Sequence, residues 1–167
     1  MRRLAVLLAV LAGGTVPALA ALPPKPQLPV PLPLTGSATA VAAPATAGAR
    51  PAVLTLKIRY EMQCGWPGAG PLVVSLPKAQ HVPHTLAPRT VVVDGKPPAS
   101  ASLTGHVIVL GLPPRHGITC MLIGPGTLTV VFTRAAGLGN PAAAGSYPIA
   151  VRIGAHAFTP HLAVTAG

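Results

Sequence analysis

From Leu54 to Met62 the apolar residues fall on every second position. Leu54, Leu56, Ile58, Tyr60 and Met62 alternate with Thr55, Lys57, Arg59 and Glu61. Successive side chains of a strand point to opposite faces, so this stretch predicts a strand with one buried face and one charged face. The same period returns over Thr127 to Thr133, with Leu128, Val130 and Phe132 inward and Thr129, Val131 and Thr133 outward. Shorter apolar runs lie at Leu72 to Leu76, Thr90 to Val93, Ala99 to Leu103 and His106 to Leu110. Turn residues bound them: Pro71 and Pro77, Asp94-Gly95, Thr104-Gly105 and Pro113-Pro114. The runs from Ala99 and from His106 read as a hairpin. Lys78 to Pro88 and Gly117 to Gly126 read as loops. Near the end, Asn140-Pro141 and Gly145 hold a loop, after which Tyr147, Ile149 and Val151 alternate into the core of one strand, Ser146 to Ile153. A last strand lies near His161 to Thr165.

This makes about eight short strands, with turns every ten residues or so and no helical period beyond the first residues. The expected fold is all-β, an antiparallel β-sandwich over residues 51–167. An immunoglobulin-like arrangement is the first choice, a small barrel the second and a cupredoxin-like Greek key the third. The sole tryptophan, Trp66, follows Cys64 by two residues. Antibody-type domains place their core tryptophan on another strand, well downstream of the first cysteine, so that version of the fold is not implied.

The first fifty residues have a different texture. Met1-Arg2-Arg3 is a positive start, Leu4 to Ala12 an apolar stretch too short to span a bilayer, and Ala18-Leu19-Ala20 a small-x-small cleavage pattern. Residues 1–20 therefore read as a signal peptide cleaved after Ala20, with no transmembrane segment left once it is removed. Cleavage takes the formal charge from +10 to +8 by removing Arg2 and Arg3. Residues 21–50 read as a disordered linker, Pro-rich and semi-rigid first, then rich in Ala, Thr, Gly and Ser. Leu32-Pro33-Leu34-Thr35-Gly36 matches the LPxTG sorting pattern. A sorting signal is followed by an apolar segment and a basic tail, whereas here a domain follows, so the match reads as coincidence.

Residues from about 51 to 166 resemble the Ig-like β-sandwich domains of bacterial secreted and surface proteins. Two motifs carry the likeness. One is Ala136-Gly-Leu-Gly-Asn-Pro-Ala-Ala-Ala-Gly-Ser-Tyr147 leading into a strand; the other is Val91-Val-Val-Asp-Gly-Lys96 followed by a hairpin through Thr104-Gly105-His106-Val107. Both consist of turn and core residues, so the resemblance implies a fold and brings no functional residues. Such domains serve as stalks, spacers or adhesive modules, often many in a row, whereas no internal repeat is visible in this chain.

Composition narrows the function further. The chain has twelve Lys plus Arg against two acidic residues, Glu61 and Asp94. That balance attracts anionic polymers, yet the cations are scattered singly, without a basic run. Two carboxylates leave little for paired acid/base chemistry, and Asp94 belongs to its turn. No Gly-x-Ser-x-Gly, His-Glu-x-x-His or Gly-rich phosphate loop is present. No enzymatic activity and no cofactor are expected. With five aromatic residues in all, specific nucleic-acid binding by base stacking is not expected either. Cys64 and Cys120, the only cysteines of an exported chain, are expected to pair, a cross-link of about 4 kcal/mol in the chain-entropy model. His81-Val-Pro-His84 is a weak metal candidate; the spacing of Cys120, the histidines and the methionines does not fit blue copper. The chain is expected outside the cytoplasm, secreted or periplasmic. The function read from it is a non-catalytic Ig-like module with a structural or adhesive role at the cell envelope, partnered by envelope polymers or another envelope protein. The alternative is a secreted binding protein for anionic glycopolymers or a copper ion.

Overall fold

The computed structural model describes residues 36–62, 71–112, 124–154 and 156–167. All of them belong to the unit Leu32–Gly167. They form eleven strands: β1 (Gly36–Ala43), β2 (Val53–Met62), β3 (Leu72–Ser75), β4 (Val91–Val93), β5 (Ser100–Thr104), β6 (Val107–Gly111), β7 (Gly124–Phe132), β8 (Gly145–Pro148), β9 (Ala150–Ile153), β10 (His156–Phe158) and β11 (His161–Val164). Short 3-10 turns stand at Pro88–Thr90 and Arg134–Ala136.

The alternating stretches pair with each other. β2 and β7 run antiparallel, in register from Leu54 opposite Phe132 to Met62 opposite Gly124. Leu54, Leu56 and Ile58 thus lie beside Phe132, Val130 and Leu128, and all six are buried. The strand β7 starts at Gly124, so the loop expected over Gly117 to Gly126 ends earlier than its turn residues suggest. The hairpin of β5 and β6 forms as expected, with Gly105 in the left-handed region at φ 57°.

Two sheets result. The larger has the order β4-β7-β2-β1-β11-β8, the smaller β10-β9-β3-β6-β5. Pairing is antiparallel throughout except between β1 and β11. One buried cluster draws on both sheets: Leu56, Val130 and Leu162 from the larger, and Val74, Ile108 and Val151 from the smaller.

Two expectations need correction. The linker expected over 21–50 is a strand from Gly36 to Ala43, and a central one, between β2 and β11. Its inward residues are Ala38, Ala40 and Ala42, with Ser37, Thr39, Val41 and Ala43 outward. The alternation is real, but alanine is so small an apolar group that the stretch reads as low-complexity coil. Space is restricted at the first residue of the strand. A Cβ on Gly36 would stand 2.6 Å from the Arg59 carbonyl oxygen and 2.8 Å from the Phe158 ring. The glycine of the sorting-like pattern therefore has a packing role.

The second correction concerns Ser146 to Ile153. It is two strands in two sheets: β8 pairs with β11, and β9 pairs with β3 and β10. The chain crosses at Pro148-Ile149. Proline has no N–H to give a ladder, and the Ile149 N–H goes to the Pro160 carbonyl at 2.9 Å. Side-chain alternation runs unbroken through the crossing, so a periodicity of two cannot reveal it.

Candidate functional site

The loop between β7 and β8 is built residue by residue to grip the N-terminal part of the domain. Gly137 takes φ +71°, ending the Arg134–Ala136 turn, and Leu138 is fully buried. Gly139 passes so close to its neighbours that a Cβ would lie 3.2 to 3.3 Å from His81, Ala49 and Arg50. Asn140 is buried, and its Nδ2 donates to the carbonyls of Pro44 and Thr46, both at 2.8 Å. The backbone adds Asn140 N–H to Ala49 O, Gly48 N–H to Pro141 O and Ala52 N–H to Leu138 O. Further along, the Tyr147 hydroxyl donates to the Ala143 carbonyl at 2.9 Å, and its ring lies over Gly145. The Asn140 amide N–H groups and the Tyr147 hydroxyl are therefore spent on holding the chain together.

The histidine candidates lie beside this loop. His81 bridges to Gly139, with the Gly139 N–H donating to the His81 carbonyl. Its Nε2 is buried without a hydrogen-bond partner. Burial holds its pKa below the ordinary histidine value, and the positive charges of Arg50 and His84 push the same way. His84 is exposed. A metal ion here would meet the repulsion of Arg50, and among the described residues no three of His, Cys, Asp and Glu gather to hold one. Cys64, Cys120 and the cleavage site at Ala20 lie outside the described residues.

Asp94 occupies the turn after β4, at φ 48°, and its Oδ1 accepts the Thr129 N–H at 2.8 Å. This is the turn role expected of it. It also fixes β4 against β7, whose Val93 and Val130 are in register.

The outward face of the larger sheet is the main arrangement the sequence left unassembled. Lys57 and Arg59 are both exposed on β2. In register across the sheet, Lys57 stands between Thr129 of β7 and Thr39 of β1, and Arg59 between Thr127 and Ser37. A third row sets Thr55 between Val131 and Val41. The result is an open sheet face with two cations in its middle column and hydroxyls on either side of each. Half of it could not be foreseen, because Ser37 and Thr39 belong to the stretch that reads as linker.

No family model matches the chain, and no curated protein matches it. Among solved structures it is similar to BslA, a bacterial hydrophobin, with 16% identity over 79% of this chain and 98% of that one, at a TM-score of 0.47. It is also similar to a chain from the structure of manganese lipoxygenase of Gaeumannomyces graminis and partial zonadhesin of Komagataella pastoris. There the identity is 14% over 81% of this chain and 47% of that one, at a TM-score of 0.42. Among the described residues no helix is long and apolar enough to cross a membrane.

Proposed function

We propose that this is a non-catalytic, exported, immunoglobulin-like module with a structural or adhesive role at the cell envelope. One observation carries the reading. The chain enters the domain from its N-terminal side through β1, a central strand paired along its full length with β2 and lying parallel to β11. A pull arriving at Gly36 loads β1 along its own axis against both neighbours. The ladder bonds then share the force at once, as in shear. A force applied across the strands, as at the tip of a hairpin, would open them one by one. Such a placement suits a module held by its N-terminal side. The hydrogen bond from Tyr147 back to Ala143 supports the immunoglobulin-like arrangement, since such sandwiches fix one corner by a tyrosine bonded to backbone a few residues upstream.

Single-molecule stretching of the full chain tests the reading. Handles at the two chain ends should give a distinctly higher unfolding force than handles at Gly105 and the C-terminal end, which peel the β5–β6 hairpin from its sheet edge. Equal forces, or a lower force for the end-to-end pull, would remove the support for a tethered mechanical role.

A further inference from the structure

We propose that the outward face of the six-stranded sheet is a docking surface for an anionic glycopolymer, gripped by Lys57 and Arg59. The proposal rests on the adhesive side of the reading above and gives it a ligand and a face.

Charge complementarity chooses the occupant. Lys57 and Arg59 lie two residues apart on one face of β2, so their Cα atoms are about 7 Å apart by the rise of an extended strand. The strand is third of six across the sheet, which puts the cations away from the rim. On a strand pair, directly opposite neighbours usually set the local charge balance. Here the neighbours on both sides are Thr129, Thr39, Thr127 and Ser37. They carry no charge to neutralise the cations and add hydroxyls that donate to or accept from a sugar. Of the two acidic residues, Asp94 lies at the sheet edge, where it accepts the Thr129 N–H, and Glu61 takes the next alternate position of β2 after Arg59. An open sheet face suits an extended chain with repeating anions better than a small ligand, which a pocket encloses. The three rows contain no aromatic residue, so bases would find no stacking platform, and this favours a glycopolymer over a nucleic acid. Each contact is weak in water, and a polymer compensates by engaging several at once. The excess of basic residues adds a long-range attraction.

The test uses four probes with the full chain at low and high salt: polygalacturonate, inorganic polyphosphate, neutral dextran and oligothymidylate. The polygalacturonate and polyphosphate arms tell carboxylate from phosphate as the anion recognised. Binding to at least one of them, absent for dextran, weaker for oligothymidylate and lost at high salt, is the expected result. The double variant Lys57→Gln/Arg59→Gln should weaken it about tenfold or more. Lys78→Gln/Arg152→Gln removes the same charge from a loop and from the other sheet, and should leave affinity within about twofold. Both variants alter exposed side chains, and equal thermal midpoints verify that each is folded. Equal weakening by the two variants would show a response to net charge alone and overturn the proposal. So would tighter binding to oligothymidylate, or no binding to either polyanion. None of these outcomes touches the stretching experiment, so the docking face can fail while the tethered module stands.

Discussion

Replacing Asn140 by alanine isolates the grip of the β7–β8 loop on the segment that follows β1. Two hydrogen bonds vanish, from Nδ2 to the carbonyls of Pro44 and Thr46. A net contribution of about 1 kcal/mol each is typical, and a buried acceptor left without a donor costs about 1 to 3 kcal/mol. The Thr46 carbonyl keeps a second donor in the Ala49 N–H at 3.2 Å, and Pro44 is exposed to water, so neither acceptor takes the full buried penalty. Against this, Asn140 Oδ1 is buried without a partner, and deleting it returns about 1 kcal/mol. The balance is a loss of about 1 to 2 kcal/mol, or a fall in melting temperature of roughly 5 °C for a domain of this size. Urea denaturation should show a lower midpoint with an unchanged slope. Asn140→Asp sharpens the test. It has the same shape, but at neutral pH it removes both donors and sets a buried negative charge among carbonyl oxygens. It should therefore be less stable than Asn140→Ala at pH 7. Its carboxyl would be protonated more readily in the folded state than in the unfolded one. Stability then rises as pH falls toward the unfolded value near 4, about where an ordinary aspartate titrates. If the alanine variant lies within about 0.5 kcal/mol of the parent, or the aspartate variant is the more stable at pH 7, the clamp does not hold the domain together.

Tyr147→Phe keeps the ring over Gly145 and loses only the bond to Ala143, so it should cost about 1 kcal/mol in the same denaturation assay; no measurable loss would make the corner decorative. His81 gives a pH dependence of definite sign. Its folded-state pKa is depressed, first by burial and then by Arg50 and His84, so the unfolded chain takes up the proton first. Stability is complete above the ordinary histidine value of about 6.5 and falls as pH drops below it. Denaturation midpoints at pH 7.5 and 5.5 should differ less in His81→Gln than in the parent, and an unchanged difference would place the effect elsewhere.

How much could be read from the chain alone depended on the size of the inward side chain. In β2 and β7 the buried face is leucine, isoleucine, valine and phenylalanine, and period-two reading found those strands to within a few residues. In β1 the buried face is alanine, which carries the same period with little hydrophobic contrast. Composition then outweighed pattern, and a central strand passed for spacer. β10 was missed for a related reason: three residues are too few to show any period. The crossing at Ile149 was hidden because alternation records which side of a strand faces the core and is silent about which neighbour accepts its backbone bonds.

The same limit governs the site. Asn140 and Tyr147 could be singled out from sequence, but their roles depend on partners 96 and 4 residues away. The first of those partners lies in the stretch that reads as linker. Once β1 is placed at the centre of the sheet, several features share one cause. Ala40 and Ala42 face inward, Gly36 has no room for a Cβ, and Asn140 fastens the carbonyls just beyond the strand's end. Thr39 and Ser37 become flanking groups for Lys57 and Arg59. On the function proposed above, the strand that would take the load is also the strand that completes the exposed polar face. Anything weakening its pairing should degrade mechanical strength and polymer binding together, although substitutions at Lys57 and Arg59 affect only the second.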